Sequence, residues 1–321
     1  MQRTEIQVNK AFDLQAPDSM TVPGYDWPSP FVPPLEPGYR FRKGLLSDVF
    51  AWFKEGTDEG LYLCGPTGSG KSSVLRQVAA RLNQPVQRLT GNARTELSDM
   101  VGHHTVVDGD MMFVDGPLTA AMRHGHLFLF DELDLVDPGV LAGLNGVVEG
   151  DPLTIPENGG EVVHPAEGFC FAATGNTGGG GDETGLYQGT VRQNTAFMDR
   201  FWIVYVDYPP AEHEKEILAE LVPALPTGVH DYLVDTAHEV RRLFIGSEGG
   251  EATMEIPMST RTLVRWGRLA AFHQGVAKNG VSPLHHALDR AIGFRAAPET
   301  REAMHEIVQR VSGESWGVVN G

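Results

Sequence analysis

The most constraining feature of this sequence is a glycine-rich turn at 65–72, GPTGSGKS, which lies between an apolar run and a helical pattern. The apolar run LYLC leads into the turn, and SSVLRQVAARL continues from it with helical periodicity. The pattern Gly-x-x-x-x-Gly-Lys-Ser in this context is typical of a phosphate-binding loop. Glycines let backbone amides turn toward phosphate oxygens, and the N-terminus of the following helix carries partial positive charge. A glycine-rich turn that matches by chance is the alternative, and the flanking strand and helix disfavour it.

The turn predicts a nucleotide site with assigned roles for two side chains. Lys71 would reach the β- and γ-phosphates, and the Ser72 hydroxyl would be a ligand of Mg²⁺. The predicted cofactors are therefore ATP and Mg²⁺. The residues predicted to contact the nucleotide are Gly65, Pro66, Thr67, Gly68, Ser69, Gly70, Lys71, Ser72 and Ser73.

A second motif, HLFLFDELD at 126–134, places two acids at the end of an apolar strand. Open α/β sheets hold their ligands at the carboxyl ends of their strands. Asp131 is therefore predicted to orient the Mg²⁺ shell, and Glu132 to polarise the attacking water. The alternative is structural, with Asp131 as a helix N-cap and Glu132 as a first-turn acid.

A third apolar strand, FCFAATGNT at 169–177, ends near Asn176. Taken alone, an asparagine after a strand is a turn former. PVQRLTG and FWIVYVDY are two further strand candidates, and helical patterns separate the strands. This alternation predicts an α/β fold in which a parallel sheet lies between helices.

Composition limits the class of protein and its partners. The chain has 321 residues, a formal net charge of −17 and no run of Lys or Arg, which disfavours a nucleic-acid partner. No apolar stretch is long enough to cross a membrane. The start, MQRTEIQVNK, lacks the apolar core of a signal peptide, so we expect a cytoplasmic protein. Cys64 and Cys170 lie in apolar runs and are predicted to be buried free thiols.

The sequence pattern divides the chain into three parts. Residues 1–40 form a proline-rich arm with little helical periodicity, and the aromatic side chains Tyr25, Trp27 and Phe31 suggest that it docks on this domain or a neighbour. Residues 41–208 form the α/β nucleotide-binding domain. Residues 209–321 have helical periodicity without strands and are predicted to form a small helical domain.

Several longer stretches resemble the MoxR group of AAA+ ATPases and, within it, the CobS-like ATPase subunits of aerobic cobaltochelatase. The resemblance runs from about Phe12 to the helix after Arg261, and its most specific part is GDETGLYQGTVRQNTAFMDRFWIVYVDY at 181–208. Two hairpins of the group correspond to VVDGDMMFV, with an Asp108-Gly109 turn, and to PLTIPENGGEVVH. The resemblance implies a P-loop AAA+ core with a small C-terminal helical lid.

The resemblance also implies three roles. Asn176 corresponds to sensor 1, whose side-chain amide would hold the attacking water on the side opposite Glu132. Arg200, in MDRF, corresponds to the arginine finger that reaches the γ-phosphate of the next subunit. Arg261 corresponds to sensor 2 on the lid, although this chain has MSTR where relatives usually have SPR. A salt bridge on a helix is the alternative for both arginines.

The function implied by the resemblance is ATP hydrolysis in a homo-oligomeric ring, a hexamer. Such ATPases work with a partner that has a von Willebrand A domain, so the first hypothesis is a motor that remodels or activates that partner. One specialised case is the ATPase subunit of a cobaltochelatase, which drives cobalt insertion into a corrin. The second hypothesis is a chaperone-like ATPase that activates another enzyme or assembly without any tetrapyrrole. A nucleic-acid motor is the third hypothesis, and the acidic charge balance weighs against it.

Overall fold

A computed structural model describes residues 3–26, 29–55, 58–182, 185–245 and 254–313. The chain divides into two compact units. The first comprises Met1–Pro37, Phe41–Pro66 and Gly70–Val206, and the second comprises Gly38–Arg40, Thr67–Ser69 and Asp207–Gly321. The predicted N-terminal arm therefore belongs, up to residue 37, to the first unit.

The first unit contains the strands of the described chain and eight α-helices between them. The strands are β1 (Arg3–Gln7), β2 (Thr21–Tyr25), β3 (Gly60–Cys64), β4 (Val86–Thr90), β5 (Gly102–Val107), β6 (Asp110–Asp115), β7 (Leu127–Asp131), β8 (Leu153–Ile155), β9 (Glu161–Val163), β10 (Cys170–Gly175) and β11 (Phe201–Tyr205). The helices are α1 (Val8–Phe12), α2 (Lys43–Glu55), α3 (Lys71–Arg81), α4 (Leu97–Val101), α5 (Pro117–His124), α6 (Pro138–Ala142), α7 (Asn145–Val148) and α8 (Thr195–Met198).

A parallel five-stranded sheet in the order β11-β3-β10-β7-β4 forms the centre of this unit. Strands β3, β7 and β10 are buried along their whole length, as the apolar runs predicted. The register pairs Gly175 with Cys64 and Thr90 with Asp131, so the carboxyl ends of these strands meet at one edge. The predicted α/β fold is confirmed. Cys64 and Cys170 are buried free thiols, also as predicted.

Both predicted hairpins are present. Strands β5 and β6 pair antiparallel, as do β8 and β9. Asp108 and Gly109 have φ angles of 53° and 94°. Two successive positive φ angles are what a two-residue hairpin turn of the favoured type requires.

The proline-rich N-terminal segment has more regular structure than its composition suggests. Strands β1 and β2 form an antiparallel pair in which Pro23 lies opposite Glu5. The Tyr25 hydroxyl donates to the carbonyl of Gly125 at 2.8 Å, and the carbonyl of Phe31 accepts from the amide of Val86. The segment therefore docks on the first unit of its own chain. Trp27, expected to contribute to this docking, lies outside the described residues.

The second unit is helical in the part of the chain that the structure describes. Its α-helices are α9 (Ala211–Leu221), α10 (Thr227–Ile245), α11 (Thr260–Phe272), α12 (Pro283–Ala291) and α13 (Pro298–Ser312). A buried ion pair joins α9 to α10, because Arg241 donates to both carboxylate oxygens of Glu214 at 2.6 and 2.8 Å. The Thr260 hydroxyl donates to the same carboxylate and so ties in the start of α11. Among the described residues, no helix is long and apolar enough to span a membrane.

Candidate active site

Lys71 is the first residue of α3 and is only 7% exposed. Its ammonium donates to the carbonyls of Gly65 and Pro66, at 2.7 and 3.0 Å, and to the side-chain oxygen of Asn176 at 3.1 Å. These acceptors use all three ammonium protons. Burial lowers the pKa of Lys71, and the nearby carboxylates, led by Glu132, oppose that shift. The positive charge is thus enclosed at the edge where the strands end.

Two glycines give the turn its shape for different reasons. Gly65 has φ 142°, and a Cβ there would lie 2.3 Å from the carbonyl oxygen of Val206. At Gly70, with φ 98°, a Cβ would meet only Arg42 at 3.8 Å, so the backbone conformation rather than space requires glycine. A turn that requires glycine at these two positions, followed at once by a helix N-terminus and a buried lysine, fits a phosphate group.

Asp131 is 2% exposed, and three side chains donate to its carboxylate. Ser72 and Thr174 donate their hydroxyl groups to Oδ1, and Arg88 donates its Nε to Oδ2. The adjoining oxygens of Ser72 and Asp131 are of the kind that Mg²⁺ prefers, so these residues fit the predicted metal site.

Arg88 was not among the residues that the sequence singled out. It lies on β4, paired with Leu129, two residues before the Thr90–Asp131 pair. Because side chains two residues apart share one face of a strand, Arg88 and Asp131 are diagonal neighbours across β4 and β7. Arg88 lies near the end of a predicted strand, but a single arginine in a short strand is no specific sequence signal for a contact with Asp131.

Glu132 has φ 57°, a conformation that is rare for a residue other than glycine and concentrates at functional sites. Its carboxylate accepts from the side-chain amide of Asn176 at 3.0 Å. Burial raises the pKa of Glu132, and the neighbouring Asp134 carboxylate raises it further. A carboxylate with a raised pKa is a stronger base.

The Asn176 side chain therefore connects the ammonium of Lys71 to the carboxylate of Glu132. From sequence we expected Asn176 to act on the water from the side opposite Glu132. The structure instead has the two side chains in direct contact. Asp134, whose role was also not predicted from sequence, accepts from the backbone amide of Asn176.

Arg200 lies at the amino ends of the strands, opposite the carboxyl ends where the cluster around Lys71 lies. It immediately precedes β11, and its carbonyl accepts from the amide of Gly60, the first residue of β3. Its guanidinium donates to the carbonyl of Ala196 and lies 3.1 Å from the Glu149 carboxylate. Arg200 is thus not part of the cluster around Lys71 in the same chain.

Arg261 lies in the second unit, as the second residue of α11. Its side chain is exposed. The N-cap of that helix is Ser259, whose side chain accepts from the amide of Thr262. The assignment of Arg261 as sensor 2 stays a prediction.

Comparison with known proteins gives the family. Residues 60–201 match the family described as AAA domain (dynein-related subfamily), and residues 214–311 match the family described as CbbQ/NirQ/NorQ C-terminal. The aerobic cobaltochelatase subunit CobS of Sinorhizobium sp. is 31% identical over 283 residues, which cover 85% of this chain and 82% of that protein. An uncharacterized protein of Staphylococcus haemolyticus is 27% identical, with 78% of this chain and 88% of that protein covered.

One solved structure, a RuvB mutant of Thermotoga maritima, is 13% identical with a TM-score of 0.47 and covers 83% of this chain and 68% of that chain. The family assignment comes instead from the matched domains and from the long alignment with CobS. The chain belongs to the AAA+ ATPases of the MoxR type and is similar to the cobaltochelatase subunit CobS.

Proposed function

We propose that this chain hydrolyses ATP with the help of Mg²⁺ at the site formed by Lys71, Ser72, Asp131, Glu132 and Asn176. The observation that carries the proposal is the Asn176 side chain, which contacts both Lys71 and Glu132. The group that would bind phosphate and the group that would activate water are thereby held in one hydrogen-bonded unit. Membership of the AAA+ family supports the same activity.

Each side chain has a separate task in this proposal. Lys71 binds and neutralises phosphate oxygens, for which it exchanges its present carbonyl acceptors. Ser72 and Asp131 would hold Mg²⁺, which supplies charge neutralisation on the phosphates. Glu132 orients the attacking water and takes its proton. Asn176 keeps the Glu132 carboxylate directed toward the phosphate-binding turn.

We further propose that the active form is a homo-oligomeric ring, a hexamer, in the cytoplasm. Arg200 supports a ring because it lies at the amino ends of the strands, away from Lys71 of its own chain, which suits contact with another subunit's nucleotide. An arginine finger supplied in this way contributes about 10³–10⁵ in rate. Hydrolysis would then depend on assembly.

The proposed task of the ring is to remodel or activate a partner protein that has a von Willebrand A domain. A second candidate, cobalt insertion into a corrin as a cobaltochelatase subunit, is favoured by the similarity to CobS over most of both chains. In either case the net charge of −17 suits a protein partner better than nucleic acid.

The test is phosphate release by the purified chain with ATP, with and without Mg²⁺. We expect turnover that requires Mg²⁺ and rises with protein concentration as rings assemble. Adding a von Willebrand A protein should change the rate, and adding DNA should not. Absence of turnover at concentrations where rings are seen by light scattering would refute the proposed activity. Stimulation by DNA with a steep salt dependence would favour the nucleic-acid motor instead.

A further inference from the structure

Asp134 is a fully buried acid that the proposed mechanism does not use. It lies in the short 3₁₀ turn Leu133–Leu135, two residues after Glu132, and is 0% exposed. Its Oδ2 accepts from the backbone amides of Asn176 and Thr177, at 2.7 and 3.0 Å, and from the Thr177 hydroxyl at 3.3 Å. Removing a carboxylate from water is costly, so its contacts with these amides must offset much of that cost.

The peptide that Asp134 binds is held from a second direction as well. The Tyr62 hydroxyl, on the buried strand β3, donates to the carbonyl of Thr177 at 2.8 Å. At Gly175, a Cβ would lie 1.9 Å from that hydroxyl and 2.9 Å from Cγ of Asp134. Only glycine therefore allows this close approach, and the chain at 176–177 is fixed on both sides.

The position of this peptide decides where the Asn176 side chain points. From it, the amide reaches Lys71 at 3.1 Å and Glu132 at 3.0 Å. The other oxygen of Asp134, Oδ1, has no hydrogen-bond partner among the described residues. The carboxylate therefore accepts from the two amides through Oδ2, while its Oδ1 is removed from water without a compensating hydrogen bond.

Asp134 also touches a more distant segment through its backbone. Its carbonyl accepts from the amide of Val191 at 2.8 Å. Val191 follows the GLYQGT stretch, and Gln193 donates to the carbonyl of Val136 in the same turn. The turn after Glu132 thus connects the Asn176 peptide to the segment that leads toward Arg200.

We propose that Asp134 is a positioning residue for ATP hydrolysis, which fixes the 176–177 peptide so that the Asn176 amide stays between Lys71 and Glu132. The proposal rests on the proposed ATPase function. Asp134 does not touch the reacting atoms in this scheme. It acts through Asn176.

The kinetic test is Asp134→Ala, with Asp137→Ala as a matched control. Asp137 is an exposed acid three residues away that caps α6 and does not contact Asn176. We expect Asp134→Ala to lower kcat about 10- to 100-fold, the loss typical of a displaced catalytic group, with little change in binding of a fluorescent ATP analogue. The control should keep the wild-type kcat. A wild-type kcat in Asp134→Ala would overturn the proposal.

A double-mutant cycle with Asn176→Ala separates positioning from general damage. If Asp134 acts through Asn176, its removal should cost little further kcat once the Asn176 side chain is gone. If the two losses multiply instead, Asp134 does not act through Asn176 and the proposal is wrong.

A third measurement, amide hydrogen exchange, does not depend on ATPase activity. Hydrogen exchange at the amides of Asn176 and Thr177 should be faster in Asp134→Ala than in wild type or in the control, because their acceptor is lost. If Asp134→Ala does not fold, Asp134→Leu keeps a similar branched shape without an acceptor for the two amides, and the exchange and the cycle are then measured with it. Unchanged exchange would refute the role of Asp134. A wild-type chain without turnover would instead refute the proposed ATPase, whatever the exchange shows.

Discussion

Arg200 and Lys71 lie at opposite ends of the same strand of the central sheet. The carbonyl of Arg200 accepts from Gly60 at the start of β3, whereas the ammonium of Lys71 donates to Gly65 just beyond its end. Five residues of strand separate the two points, about 16 Å at the usual rise per residue. The Arg200 side chain is moreover directed to Ala196 and Glu149. Arg200 therefore cannot share a phosphate with Lys71 of its own chain.

Lys71→Ala should abolish binding of ATP. The buried ammonium is the cation nearest to the phosphate-binding turn, and alanine leaves the carbonyls of Gly65 and Pro66 facing the ligand without it. Isothermal titration with ATP and Mg²⁺ checks this. Lys54→Ala, at an exposed position near the end of α2, is the matched control and should bind as wild type. Wild-type affinity in Lys71→Ala would exclude the turn as the nucleotide site.

Glu132→Gln should bind ATP and release almost no phosphate. Glutamine keeps the shape and an acceptor for the Asn176 amide but cannot take a proton. We expect a loss in kcat of at least about 10²-fold, the lower range for a general base, with affinity nearly unchanged. Titration calorimetry and a phosphate-release assay measure the two quantities. Unchanged turnover would remove Glu132 from the mechanism.

The pH dependence of turnover should reflect the ionisation of the Glu132 carboxylate. Burial raises the pKa of Glu132, so the proton leaves at a higher pH than from an ordinary glutamate. The active form is the carboxylate, and kcat should therefore fall as pH decreases through that raised pKa. The acid limb of the kcat profile should lie above the range of an exposed glutamate, about 4.3. A profile flat down to that value would contradict this assignment.

Part of this site could be predicted from sequence because each element has a local signal. Asp131 and Asn176 each follow a fully apolar run, and parallel strands bring their carboxyl ends to one edge. Arg88 and Asp134 had no such signal. A single arginine in a short strand is typical of a solvent-facing charge, and Asp134 depends on a contact with residues 42 positions away. Neither contact follows from a pattern within one window of sequence.

The fold of the N-terminal segment also depends on contacts that a local sequence pattern does not predict. Its prolines disfavour helices, and we expected an arm with little helical periodicity. Strands β1 and β2 nevertheless pair, because an edge strand tolerates a proline whose missing amide is not needed by the ladder. The pairing depends on two short segments that are separated by α1, so it has no hairpin-turn signal.

Arg88→Ala should strengthen binding of the divalent metal. Arg88 donates to the Asp131 carboxylate and therefore competes with a cation for the same negative charge. Loss of one hydrogen bond to a charged group corresponds to about tenfold in affinity. Manganese binding followed by electron paramagnetic resonance, with the nucleotide present, measures this directly. Arg88→Lys keeps the charge and should behave like wild type, and weaker manganese binding in Arg88→Ala would show that Arg88 supports the site.

The separation of Arg200 from Lys71 predicts that Arg200 acts on the nucleotide of a neighbouring subunit. Arg200→Ala and Lys71→Ala should each lose most activity alone, the first because the charge on the phosphoryl group lacks the Arg200 guanidinium and the second because ATP does not bind. In mixed rings, some boundaries join a subunit with an intact Lys71 to one with an intact Arg200. These boundaries should restore part of the phosphate release.

The mixing ratio distinguishes action in trans from action in cis. With Arg200 acting in trans, activity should rise from near zero to a maximum at intermediate ratios, because only then do complementary boundaries form. With Arg200 acting in cis, no chain in the mixture has both residues, so activity should stay at the level of the single variants at every ratio. Energy transfer between labelled chains must first show that subunits exchange, since rings that never mix would give the same flat result. If exchange is seen and the activity stays flat, Arg200 is not an arginine finger, and its ion pair with Glu149 is then its structural role.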